Sequence, residues 1–101
     1  MELELYTVCM IREDYSMKNI YEIRSEYMGR YPEGRFFDPD MMAMYGESLD
    51  NMKVTGKGVV KTRNCGDVIC YEVLATSQDF TGYHEKRYYF DVDTFELFMP
   101  A

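Results

Sequence analysis

The chain opens on an alternation. In ELELYTVCMI (residues 2–11), Leu3 and Leu5 fall opposite Glu2 and Glu4, and Thr7, Cys9 and Ile11 continue the leucine side. A period of two predicts a strand. Tyr6, Val8 and Met10 make its later part apolar on both faces, as in a strand covered on both sides; a helical reading of the same residues stays open. The period then changes. Met17, Ile20, Tyr21, Tyr27, Met28 and Tyr31 recur at steps of three and four, with Arg24 interrupting the stripe. That spacing predicts an amphipathic helix over about 16–29. Ser16 is its N-cap candidate, Gly29 its terminator, and Pro32 forbids simple continuation.

A turn at Tyr31-Pro32-Glu33-Gly34 leads into FFDPDMMAMYGES, residues 36–48. Asp38 suits an N-cap, Pro39 the first helical position, and Asp40 the positive end of the helix dipole. Met41, Met42, Met44 and Tyr45 supply an apolar turn or two, and Gly46 can close it. The segment predicts a short second helix at about 39–45, too short to be stable unless it packs, with Phe36 or Phe37 stapling its start to the core. The second half reads as strands. Residues 52–62 and 68–76 flank the turn formers Asn64 and Gly66, with Ile69, Tyr71, Val73 and Ala75 on one face. In 52–62, Val54, Val60 and Thr62 face one way, and Lys53 and Lys57, then Lys61 and Arg63, the other. Residues 77–86 read as a polar loop, and Arg87–Val92 and Phe95–Met99 as two short strands around Asp93-Thr94. The order predicts an α+β fold: an antiparallel meander of about four to five strands with both helices on one face. Loops this short leave no room for parallel crossovers among the last strands.

Composition narrows the class. The chain has 101 residues, 47% of them hydrophobic and 29% charged, which predicts one folded domain over 1–101 and argues against disorder. Its 11 bases against 18 acids give a net charge of −7. Residues 1–50 carry eleven acids and five bases, so the excess sits in the first half. Such a field opposes direct binding to nucleic acid or anionic lipid and favours a basic partner. Glu2 and Glu4 stand where a signal peptide would be basic, and no apolar run approaches the ~20 residues of a membrane span. Three cysteines (Cys9, Cys65 and Cys70) form neither an even set nor a CxxC pair. A cytoplasmic protein is the expectation.

Residues 31–48, YPEGRFFDPDMMAMYGES, resemble the signature of small uncharacterised proteins from phages and mobile elements of Gram-positive bacteria. In that family a Phe-Asp-Pro-Asp segment precedes Met-X-X-Phe/Tyr-Gly-Ser/Thr; here the serine, Ser48, comes one residue late. LATSQDF and KRYYFDVD are similar to the family's following strand, loop and strand, so the resemblance spans about residues 31–95. It implies a fold and a genomic setting, and no catalytic residue to carry over.

Each chemical motif has a plainer explanation. Asp38 and Asp40 could ligate a hard cation, but helix capping accounts for both and no EF-hand spacing follows. His84, the one histidine, lies near Asp79, Ser77 and Thr81; a hydrolytic site would need a carboxylate and a hydroxyl within about 3 Å of it. An exposed loop histidine is the simpler reading. Cys70 fits a buried strand position and Cys65 a turn, neither with a reactive context. The lysine stripe matches no Walker loop and suits a solvated or guarded sheet face. KRYYFDV lacks the glycine and second aromatic motif of an RNA-binding strand. No cofactor or metal is expected.

The expectation for function is therefore a non-catalytic accessory protein of a phage or mobile element that binds another protein. Its candidate binding residues are Glu22, Glu26, Asp38, Asp40, Glu47 and Asp50. In the sharpest form these acids mimic nucleic-acid phosphates and block a nucleic-acid-binding host protein, as inhibitors of bacterial defence systems such as anti-CRISPR proteins do. The alternatives are a small hydrolase built on His84 with a carboxylate, and a purely structural or assembly protein. Monomer and homodimer are both open.

Overall fold

The structure is a computed structural model. It describes residues 2–11, 18–44, 46–64 and 66–100, with backbone only for 2–11 and Pro100. The element order is β1 (Glu2–Ile11), α1 (Ile20–Arg30), α2 (Pro39–Met44), a 3₁₀ turn (Leu49–Asn51), β2 (Met52–Thr62), β3 (Gly66–Asp79), β4 (Gly82–Asp91) and β5 (Leu97–Pro100). Neighbouring strands pair antiparallel in sequence order, so the expected α+β meander with a main and a short helix is what the chain forms. The meander also closes: β1 pairs parallel with β5 at Glu2↔Met99 and Leu3↔Pro100, making a five-stranded barrel. Among the described residues no helix is long and apolar enough to cross a membrane.

The first helix starts later than its sequence spacing suggested. Asn19, not Ser16, caps it: the Asn19 side chain accepts from the Glu22 N–H at 2.9 Å, and Glu22 accepts from the Asn19 N–H at 3.1 Å. This reciprocal capping box satisfies two donors at the open end of the helix. Ser16 and Met17 lie outside the described residues. Gly29 does not end the helix; Arg30 is its last residue and Tyr31 its C-cap, the Tyr31 N–H donating to the Tyr27 carbonyl at 2.8 Å. The buried face is Ile20, Ile23 and Tyr27, whereas Tyr21 and Met28, both placed on the apolar stripe by spacing, are exposed.

The second helix runs as expected. The Asp38 carboxylate accepts from the Asp40 N–H at 2.9 Å, and Phe37 just before it and Met42 one turn in both join the core, which is the staple arrangement. At the other end the Glu47 N–H donates to the Met42 carbonyl and the Gly46 N–H to that of Ala43. These are the paired bonds of a Schellman stop, with Gly46 at φ +69°, where a side chain would be strained. Tyr45 lies outside the described residues.

Three corrections concern the strands. Residues 77–86 are not a loop: β3 and β4 pair continuously from Cys70↔Asp91 to Asp79↔Gly82, and only Phe80 and Thr81 turn. The last strand begins at Leu97 rather than Phe95. Phe95 instead takes a left-handed conformation (φ 58°), its N–H donating to the Asp91 carbonyl, while its ring stacks on Tyr71. Finally, β2 carries a bulge. Val54 pairs with Val73 and Gly56 with Glu72, so Thr55 is an extra residue on β2. Its hydroxyl donates to the Glu72 carboxylate at 2.7 Å.

The bulge exchanges the faces of β2. Met52 and Val54 share a face with Val73, but beyond it Lys57 pairs with Tyr71 on that same face, its ammonium 5.4 Å from the ring centroid. Lys53, paired with Leu74, therefore projects from the side opposite Lys57, and the four basic residues form no single stripe.

Burial follows these faces. The larger cluster joins Ile20, Ile23 and Tyr27 of α1, Phe37 and Met42, and the strand residues Tyr71, Val73, Ala75, Tyr88 and Phe90. Ile69 belongs to that strand face by alternation, yet it lies beyond helical cover and is exposed. Val60, Cys70, Tyr89 and Phe98 form a second cluster on the opposite face. Tyr89 donates there to Glu72 at 3.1 Å; burial first, then the Glu72 charge, push its pKa up to about 12. Cys70 is wholly buried, and its thiol is pushed up to about 12 by burial and then by Asp91 and Glu96. It is an inert packing residue. Cys65 and the Cys9 side chain lie outside what is described.

Candidate functional site

Helix α2 is too short to cover the sheet face it sits on, and a cleft of about 500 Å³ opens beside it. Tyr27 of α1, Phe36 of the turn, Met41 and Met42 of α2, and Leu97 and Met99 of β5 provide apolar walls. Arg35, Glu47, Lys86 and Tyr88 bring polar atoms to the same space. The walls are held by neighbouring rings: Phe36 meets Tyr88 edge-on at 4.7 Å between centroids and Phe37 at the same separation, while Phe37 stacks on Phe90 at 5.8 Å. Aromatic packing of this kind fixes shape, and the methionines leave part of the wall adaptable.

Glu47 is the unusual member. It follows the Schellman stop of α2, and its side chain meets β4 rather than solvent; only 7% of that side chain is exposed. The buried Tyr88 hydroxyl donates to it at 2.8 Å, reaching the second oxygen at 3.3 Å. Lys86 Nζ stands 3.9 Å away. Arg35, at the cleft edge, is turned to Asp38 through Nη2 at 3.2 Å and Nε at 3.3 Å. The Asp38 carboxyl is held below its ordinary value, first by the Asp40 N–H and then by Arg35.

The six acids singled out from the sequence lie on α1, at the start of α2, just after it and on the 3₁₀ turn. Glu22 is exposed and occupied with the α1 cap. Glu26, one turn on, pairs with Arg30 at 3.6 Å. Asp50 on the 3₁₀ turn lies against α1, accepting from the Tyr21 hydroxyl at 3.2 Å. Asp38 and Asp40 open α2, and Glu47 lies in the cleft. Glu26, Asp38 and Glu47 face Arg30, Arg35 and Lys86 in turn, which among the described residues leaves Glu22, Asp40 and Asp50 to carry charge outward.

The structure does bring His84, Asp79 and a hydroxyl together, at the β3–β4 turn. Thr81 Oγ1 is 2.8 Å from His84 Nε2, and Asp79 Oδ1 is 3.2 Å from the same nitrogen. The hydrogen bonds run the wrong way for hydrolysis. Thr81 donates its hydroxyl proton to Asp79, which also accepts the Thr81 N–H at 2.7 Å. With the hydroxyl proton given to the carboxylate, Nε2 is left to donate to both oxygens, so the ring faces the threonine as a donor and not as a base. A relay also needs the carboxylate on the other ring nitrogen. The trio is exposed, and it locks a tight turn. Among the described residues no group of three or more His, Cys, Asp or Glu side chains gathers as a metal site.

By spacing alone the methionine and tyrosine positions of the cleft walls read as core. The cleft's one local signal was the methionine run beside Phe36-Phe37, since methionine also suits adaptable binding surfaces. The remaining walls come from β4 and β5, and nothing in the sequence shows that those strands return to α2. No family model, curated protein or solved structure matches this chain.

Proposed function

We propose that this chain is a non-catalytic binding protein whose cleft beside α2 receives a side chain of a protein partner. The observation that carries this reading is the cleft itself: rigid aromatic and adaptable methionine walls converging on one nearly buried carboxylate, Glu47. The net charge of −7 favours a partner with a basic surface, with Glu22, Asp40 and Asp50 steering the approach. The setting we propose, an accessory protein of a phage or mobile element, rests on the residue pattern of 31–48. Inhibition of a nucleic-acid-binding host protein is its sharpest form. The donor role of His84 toward Thr81 supports the non-catalytic part of the reading.

Photocrosslinking tests it. A photoreactive residue replacing Met99, which is 45% exposed on the cleft wall, should give a discrete protein adduct in cell lysate. The same residue replacing the exposed Asp67 at the β2–β3 turn should not. The adduct should fade between low and moderate salt and in a Glu22→Lys, Asp50→Lys variant. Equal yields at the two positions would remove the cleft from the proposal.

A further inference from the structure

Resting on that reading, we infer that the side chain received by the cleft is a lysine, its ammonium meeting Glu47 and its alkyl stem lying along Phe36, Met41 and Met42. The Glu47 side chain is more than nine-tenths buried, and an ionised carboxylate offers about four acceptor positions. Among the described residues, the donor within hydrogen-bond distance of it is the Tyr88 hydroxyl, with one hydrogen for two oxygens. Lys86 at 3.9 Å is too far for a hydrogen bond, though close enough to attract. A buried carboxylate so placed gains from one further cationic donor.

The rest of the cleft agrees with that cation. Phe36 and Tyr88 present aromatic surface, which attracts an ammonium, and the methionines take a flexible methylene chain as readily as an apolar residue. An anionic ligand would meet Glu47 and the field of a chain at −7, with Arg35 already held by Asp38 and Lys86 drawn toward Glu47. Arginine fits less well. Its planar fork is best used against two in-plane carboxylate positions, and the Tyr88 hydroxyl already spans both oxygens; a point-like ammonium needs only one.

Three probes of equal length separate the contributions: n-hexylammonium, n-hexanol and n-hexanoate, each titrated into the ¹⁵N-labelled full chain while its amide spectrum is followed. Hexylammonium should shift the Glu47, Lys86 and Tyr88 amides and bind about tenfold more tightly than hexanol, the value of one charge-assisted hydrogen bond. Hexanoate should bind more weakly than hexanol. In Glu47→Gln the preference for ammonium should vanish while hexanol binding stays. Hexanol equal to hexylammonium in the native chain, or a preference surviving in Glu47→Gln, would overturn the lysine inference and leave an apolar protein-binding cleft standing. Should Glu47→Gln fail to fold, the comparison in the native chain decides alone. Failure of all three probes to shift cleft amides overturns the inference too; the Met99 crosslink then reports separately on the broader reading.

Discussion

Replacing Ile23 by alanine tests which face of α1 holds the protein together. The side chain is completely buried in the larger cluster, among residues of α1, α2 and the sheet. Alanine removes three carbons, each worth about 0.8 kcal/mol of transfer from water. The void adds about 1 kcal/mol or more, depending on how far Tyr27 and the facing sheet relax into it. Better helix propensity returns about 0.4 kcal/mol. The expected loss is therefore about 2–4 kcal/mol, a large part of the stability of a chain this size. Urea unfolding followed by far-UV circular dichroism measures it, and an unchanged m value would show that the unfolded state is not the source. Met28→Ala is the control, because Met28 lies on the sequence-derived stripe but is 41% exposed; it should cost under about 0.5 kcal/mol. A loss below about 1 kcal/mol for Ile23, or equal losses for both, would refute the assignment of the helical face.

Other outcomes follow from single contacts. Gly34→Ala would place a Cβ 2.7 Å from the Tyr27 hydroxyl oxygen, and since that ring packs against Phe37 and Phe90 it cannot withdraw; a cost of about 1–3 kcal/mol in the same urea assay is expected, and neutrality would show the contact to be soft. Asp38, held below its ordinary 3.8, contributes stability that is fully present above that value and is lost as pH falls through the lowered folded value. Acid melts of Asp38→Asn should lack that part of the pH dependence, and identical profiles would remove the cap from the account. Cys70, wholly buried with a pKa of about 12, should resist iodoacetamide at pH 8 until the chain unfolds. Peptide mass spectrometry reads this, and native-state labelling would contradict its burial.

What could be read from the sequence was local. The Asp38-Pro39 start and Gly46 stop of α2 lie within a few residues of one another, so backbone satisfaction alone defines that helix. The start of α1 was legible too, in Asn19 and Glu22 at capping-box spacing, but Ser16 offered a competing cap and drew the boundary earlier. The strand pairing of residues 77–86 was hidden for a different reason. That part of the hairpin is held by backbone pairing and by the Asp79–Thr81–His84 turn, with Phe80 and Tyr83 exposed, so it buries too little to impose an apolar alternation. The lysine stripe failed because period-two counting assumes an unbroken pleat. The cleft was invisible because Tyr27, Phe36, Tyr88 and Leu97 become neighbours only once the meander is folded.

The bulge at Thr55 makes β2 unequally tolerant of two kinds of sequence change. A substitution there loses little beyond the hydroxyl's bond to Glu72, because the residue is exposed and the extra backbone unit remains. Deleting it restores an even count and turns one half of the strand over relative to the other. Either Met52 and Val54 leave the helix-covered face, or Val60 leaves the second cluster and Lys57 loses Tyr71. Length, more than residue identity, is thus the inherited constraint on this strand: drift in composition at Thr55 is cheap, whereas a one-codon deletion must be answered by a one-codon insertion nearby.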